Sequence, residues 1–390
     1  MIDLSKLLTD NTDSRKDLRY SKKSSNTSTG ARRDTGPVVV WNITKSCNLS
    51  CFHCYAEAKN KTGPEELNTE QAKEFINDLA NFNVPVLIFS GGEPLMRKDL
   101  EELIAYARNK GLLVTISTNG TLLEYDRVKK LKELGVNYIG VSLDGMEKTN
   151  DSFRGRKGAF KEALTGIRNC IELGQKVGLR FTINKHNYSE IPQIFTLMER
   201  EDIARICFYH LVPQPPLDNI NEYVLPAPKK RTIINNLLAE TEKFLSDNPN
   251  KEVLTVANHT DGVHLFLTLK RNNDSRADKV YEYLKRNGGN RSGIAISSVD
   301  WNGDIHPDQF TMNHTLGNIK EQKFSHIWGK SEHPLLKKLR NRKELLKGRC
   351  GECHWLDLCN GNVRSRAETL NNDFWEEDPG CYLTDSEIKV

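Results

Sequence analysis

Six times between residues 37 and 245, a short apolar run rich in Val and Ile is followed by a stretch with helical spacing. No other feature of the chain restricts its fold so strongly. The runs cover 37–44 (PVVVWNIT), 84–92 (VPVLIFSGG), 112–120 (LLVTISTNG), 138–145 (YIGVSLDG), 177–183 (VGLRFTI) and 204–212 (ARICFYHLV). Continuous apolar strands belong to parallel sheets covered on both faces. A right-handed helical crossover after each strand winds such a sheet into an open or closed barrel. The expected helices cover 69–82, 98–110, 125–134, 159–173, 190–200 and 229–245. This α/β pattern places chemistry at the C-terminal ends of the strands.

The flanking segments read differently. Residues 1–36 are polar, centred on SKKSSNTSTG, and are expected to form a loosely ordered arm. The barrel then spans 37–250, and 251–286 is expected to connect it to a small C-terminal domain at 287–390. That last region is turn-rich (NGGNRSG, WNGDIHPDQ).

Net charge is +4, and residues 1–36 hold eight Lys/Arg against five Asp/Glu, so most of the excess lies there. The remainder is too near neutral for a nucleic-acid binder. No apolar run approaches the roughly 18 residues of a membrane span. MIDLSKLLTDNTDSRKD has no apolar core of a signal peptide, so a cytoplasmic location is expected.

In that reducing compartment disulfides are rare, which makes the nine cysteines informative. Cys47, Cys51 and Cys54 lie on the loop after the first strand. Cys350, Cys353, Cys359 and Cys381 lie in the last 41 residues. Cys170 and Cys207 stand alone and are expected in the core. A [4Fe–4S] cube normally takes four thiolates, so three local ones leave an iron open to a ligand. The alternative for the first set is zinc completed by His53, but its adjacency to Cys54 makes the geometry poor. The C-terminal set supplies the full four, with a structural zinc ribbon as its alternative.

Other polar motifs end the next three strands. Gly91 and Gly92 permit close backbone approach to a ligand, and Glu93 can accept hydrogen bonds from an ammonium group. Asn119, Ser142 and Asp144 offer an amide, a hydroxyl and a carboxylate, while Asn119-Gly120 and Asp144-Gly145 also read as turn pairs. Arg154 in DSFRGRKGAF could pair with a carboxylate, but an exposed side chain is the favoured reading. His210 and His306 are candidates for binding a substrate metal, or for local hydrogen bonding. The basic run Lys337–Arg349 reads first as a solvated helix face, with a role in offsetting thiolate charge or attracting a polyanion as its alternatives.

CxxxCxxC in the first βα loop, with S90-G91-G92-E93-P94 in register after it, resembles the radical S-adenosylmethionine (SAM) enzymes. The resemblance implies a partial (β/α)6 TIM barrel and a [4Fe–4S] cluster on Cys47, Cys51 and Cys54. The open iron would bind SAM. Gly91, Gly92, Glu93, Asn119 and Ser142 would contact it. Reductive cleavage would yield a 5′-deoxyadenosyl radical. The C-terminal cysteines resemble SPASM/Twitch extensions, implying a second, auxiliary [4Fe–4S] cluster. In N302-G303-D304-I305-H306-P307-D308 an Asp stands where a complete extension has Cys, so one auxiliary cluster is expected, not two.

Longer strings narrow the resemblance. IDLSKLL, DSFRGRKGAFKEAL, HTLGNIKEQKFSHIW and D378-P-G-C381-Y-L look like the tetrapyrrole branch. It implies an iron-tetrapyrrole substrate and a reductant such as ferredoxin or flavodoxin. One reaction of that branch removes two acetate chains from didecarboxysiroheme to give Fe-coproporphyrin III. Another removes propionates on the route to haem d1. The opening IDLSKLL favours the first. The turn P213-Q-P-P-L-D-N219 departs from the Gly- and Arg-containing turn of the branch. A peptide maturase, or a non-enzymatic zinc protein, are the other readings.

Overall fold

The computed structural model describes residues 1–9, 36–56, 58, 66–214, 222–330 and 333–389. Most of the polar segment 1–36 and residues 215–219 of the departing turn lie outside them.

The six expected strands and helices form, with ends that differ by no more than three residues. They are β2 (Val38–Asn42), β3 (Val86–Ser90), β4 (Leu113–Thr118), β5 (Tyr138–Ser142), β6 (Val177–Ile183) and β7 (Arg205–His210). Their crossovers are α2 (Thr69–Asn81), α3 (Leu100–Asn109), α4 (Tyr125–Glu133), α6 (Ala159–Glu172), α7 (Ile191–Arg200) and α8 (Ala227–Asp247). Each strand pairs in parallel with its successor in sequence. Sequential order with crossovers of one hand keeps the helices on one side, so the sheet curls into a partial barrel.

Along β6, Leu179, Phe181 and Ile183 are buried, while Arg180 and Thr182 between them are half-buried. The first set packs in the main core with residues such as Phe195 and Met198 of α7. Cys170 and Cys207 are both buried, as expected.

Three parts depart from the sequence reading. The expected loose arm begins with an ordered piece, β1 (Ile2–Asp3) and α1 (Leu4–Leu8). Ile2, Leu4 and Leu7 are buried, because this short apolar head finds a sheet edge to cover. The edge belongs to β8 (Glu252–Val256), a seventh parallel strand inside the expected connecting segment. Two further helices follow it, α9 (Thr260–Arg271) and α10 (Ala277–Asn287). Finally, α5 (Glu147–Arg154) forms in a polar stretch with no expected element.

The C-terminal region joins the same sheet. β9 (Ile296–Val299) runs parallel to β2, and β10 (Asp304–His306) and β11 (Gly317–Asn318) add antiparallel edges. The basic run is not one solvated face. Arg342 is 1 % exposed and gives its guanidinium to Leu339 O, Ser292 O and Asn290 Oδ1.

Candidate active site

The cysteine loop leaves β2 and is held from below by the loop after β3. Gly92 N donates to Thr44 O at 2.7 Å, and Glu93 N to Ser46 O at 2.7 Å. Gly91 has φ +139°, and a Cβ there would meet Thr44 O at 2.6 Å. A Cβ on Gly92 would run into the Ser46 carbonyl. The close approach made by these glycines is thus to the cysteine loop itself.

Glu93 is fully buried. Its Oε1 accepts from Leu95 N at 3.0 Å and Thr118 Oγ1 at 2.7 Å, and its Oε2 from Asn119 N at 2.7 Å. Burial pushes its carboxyl pKa up, opposed by these three bonds. A carboxylate has about four acceptor positions, so capacity for a further donor remains. Asn119 extends the chain of contacts. Its Nδ2 donates to Asn48 Oδ1 at 2.8 Å and lies 4.0 Å from Cys47 Sγ. Burial pushes the Cys47 thiol up to about 12. Ser142, at the end of β5, stands in register with Arg180 of β6, whose guanidinium bonds Ser117 Oγ.

Sequence reasoning missed the group on the other side of the loop. Arg154, expected at the surface, is 7 % exposed. It pairs with the buried Asp144 and donates to Cys51 Sγ at 3.5 Å. Asp144 also accepts from Thr182 N at 2.6 Å and lies 3.2 Å from His53 Nε2. Burial raises the Asp144 pKa, but Arg154, His53 and the Thr182 N–H together outweigh it and hold the carboxyl at about 2. The sequence offered both halves, a strand-end carboxylate in S142-L-D144-G145 and an Arg154 able to pair with one, but nothing in it joined the two.

Cys350, Cys353, Cys359 and Cys381 line one cavity, together with Thr260, Trp355 and Asp378. Cys381 N donates to Asp378 O, and Asp378 accepts from Val363 N and Gly380 N. Arg366 forks onto Asp378 and also donates to Leu211 O and Ala257 O, just past β7 and β8. Val212, Ala257 and Val363 pack there with Phe310. The four-cysteine cavity is thereby fastened to the C-terminal ends of two barrel strands. Asp308 makes a turn, its Oδ1 accepting from Phe310 N and Thr311 Oγ1.

The two histidines make internal contacts, in line with the local hydrogen bonding that was one of their two readings. His210 Nε2 meets Asp261 Oδ2 at 2.8 Å and its Nδ1 is 3.4 Å from Asn258 Nδ2. His306 is 2 % exposed, its Nδ1 3.0 Å from His314 O and its Nε2 facing Asp300 at 3.8 Å. Strand-end polar residues in a packed fold find backbone and carboxylate partners first.

Among the described residues, no three or more His, Cys, Asp or Glu close around a single-ion position. A cube of four irons and four sulfides is larger than an ion and takes thiolates set further apart. The donor sets fit it: soft thiols, three on one loop and four around one cavity.

The sequence profile of the Radical SAM superfamily matches residues 41–198, which include Cys47, Cys51 and Cys54. That of an iron-sulfur cluster-binding domain matches residues 295–354, which include Cys350 and Cys353. The Fe-coproporphyrin III synthase of Methanosarcina barkeri is 50% identical over 100% of this chain and 99% of its own. The chain belongs to the radical SAM superfamily. Within that superfamily it is also 39% identical to the pre-heme d1 synthase of Dinoroseobacter shibae, over 92% of this chain and 89% of that one. Among solved radical SAM folds, Streptococcus suis SuiB bound to S-adenosylmethionine matches with a TM-score of 0.70. The match covers 90% of this chain and 78% of SuiB at 19% identity, which speaks for the fold alone. None of the helices described is long and apolar enough to cross a membrane.

Proposed function

We propose that this radical SAM enzyme removes two acetate side chains from didecarboxysiroheme, giving Fe-coproporphyrin III. The observation that carries the reading is the 50% identity to the Fe-coproporphyrin III synthase across essentially the whole of both chains. The match runs the length of both chains, so it is not confined to the part of the chain that carries the radical SAM profile.

In this reading Cys47, Cys51 and Cys54 hold the SAM-binding cluster, and Cys350, Cys353, Cys359 and Cys381 hold one auxiliary cluster. Bound there, the first cluster and SAM supply a 5′-deoxyadenosyl radical for hydrogen abstraction. The chain's own residues bind and orient. Glu93 accepts from the methionyl ammonium of SAM with its remaining lone pair, and Asn119 and Ser142 contact the rest of the cofactor. The fastening of the four-cysteine cavity to β7 and β8 covers part of the barrel mouth and excludes water from it. The electron comes from a small reductant such as ferredoxin or flavodoxin.

The 39% identity to the pre-heme d1 synthase favours a second reading, removal of propionates. Anaerobic incubation of the reduced enzyme with SAM and didecarboxysiroheme separates the two by product mass. Loss of two acetates is expected, and loss of two propionates transfers the assignment.

A further inference from the structure

The end of α5 is sewn to the cysteine loop at several points. Ser50 N donates to Arg154 O at 3.1 Å, and Phe52 N to Phe153 O at 3.3 Å. Gly155 has φ +64°, and a Cβ on it would meet Ser50 O at 2.7 Å. Phe153 packs edge-on against Phe52, with ring centroids 4.4 Å apart. The Arg154 guanidinium then reaches Cys51 Sγ at 3.5 Å. Behind it Asp144 binds both Arg154 and His53, the residue next to Cys54 in the cysteine loop. Asp144 is itself fixed by Thr182 N at the end of β6, and Asn150 Oδ1 accepts its N–H. Arg154 and Asp144 are both nine-tenths buried.

We infer that Arg154 and Asp144 form a charge couple that sets the reduction potential of the cluster held by Cys47, Cys51 and Cys54; this rests on the assignment of that cluster. Adding an electron makes a thiolate-bound cluster more negative. A guanidinium that donates to one of its thiolates stabilises the reduced form more than the oxidised one. Burial keeps water from screening the effect. Asp144 works against Arg154 by neutralising part of its charge, and holds it in place. Arg154 is a positioning residue in this account, since it acts through Cys51.

The couple makes predictions of opposite sign, which a purely structural role does not. The test is an anaerobic redox titration of the SAM-free protein, followed by electron paramagnetic resonance. The relevant cluster is identified as the one whose signal moves when SAM is added. Arg154→Gln removes the charge and is expected to lower the potential. Asp144→Asn leaves the Arg154 charge uncompensated and is expected to raise it. Each change should move the reduction equilibrium by tenfold or more, which is 59 mV for a one-electron couple. Arg154→Lys keeps the charge and should fall between wild type and Arg154→Gln. The auxiliary cluster, bound far along the chain, should not move in any variant. Unchanged potentials, or shifts of one sign in both variants, overturn the inference. Should Arg154→Gln fail to assemble the cluster, Asp144→Asn and Arg154→Lys decide on the same criteria. Absence of any SAM-responsive cluster in the wild type instead overturns the assignment beneath it.

Discussion

Arg366 makes a two-pronged ion pair with Asp378, both contacts at 2.7 Å, and each residue is only 2 % exposed. Breaking a buried pair from one side costs about 3–5 kcal/mol, because a charge is left without a partner. Arg366→Met is therefore expected to destabilise the chain by that order. It also removes the link to Leu211 O and Ala257 O, so the four-cysteine cavity loosens from the barrel. Denaturant unfolding and iron content of the anaerobic protein check both effects. The double variant Arg366→Met/Asp378→Asn should recover part of the loss, since it leaves no unpaired charge.

Gly92 has the Ser46 carbonyl where its Cβ would lie. Gly92→Ala should push the cysteine loop out of place while sparing the C-terminal set. With about four irons per cube, iron content is expected to fall from about eight to about four. Retention of full iron and full SAM cleavage contradicts the role given to this glycine.

Glu93 is satisfied by three protein donors. In Glu93→Gln a donor NH₂ takes the place of one acceptor oxygen, so the amide opposes either an incoming ammonium or the Asn119 N–H. SAM affinity is expected to drop tenfold or more with both clusters assembled, as measured by equilibrium titration of the reconstituted protein. Equal affinity removes Glu93 from the SAM site.

His264, on α9, gives the chain a pH dependence. Its Nε2 meets Asn235 Oδ1 at 2.6 Å, while its Nδ1 is buried with no partner. Burial pushes its pKa down to about 4 from 6.5. Below pH 6.5 the unfolded chain binds a proton that the folded chain refuses until about pH 4. Stability therefore falls as pH falls through this window, by roughly 1.4 kcal/mol per unit. His264→Gln keeps a donor toward Asn235 and does not titrate. Unfolding curves at pH 7 and 5.5 should show a smaller loss for that variant than for wild type.

How far the sequence foretold this depends on the range of the interactions. The six strands were legible because burial on both faces demands unbroken apolar runs, and Val38–Asn42 or Tyr138–Ser142 satisfy that locally. The four C-terminal cysteines were legible as a set because few other functions group thiols so closely. β8 was missed because Glu252 and Thr255 interrupt its run; Glu252 is buried only by pairing with Arg205 of β7. Arg154 was misread for the same reason. An arginine followed by glycine at the end of a polar helix looks solvated until its partner, Asp144, is brought beside it by the turn after β5. For His210 the sequence left two readings open, because the residue that pairs with it, Asp261, lies on another element.

The central claim is that the Cys47, Cys51 and Cys54 site drives side-chain removal from an iron tetrapyrrole through SAM cleavage. The direct measurement is the yield of 5′-deoxyadenosine against tetrapyrrole product in one anaerobic reaction with didecarboxysiroheme. Each acetate lost needs one hydrogen abstraction, so the account predicts about two 5′-deoxyadenosines per Fe-coproporphyrin III, and neither product from Cys47→Ala. Conversion of the tetrapyrrole without 5′-deoxyadenosine, or by Cys47→Ala, would contradict it.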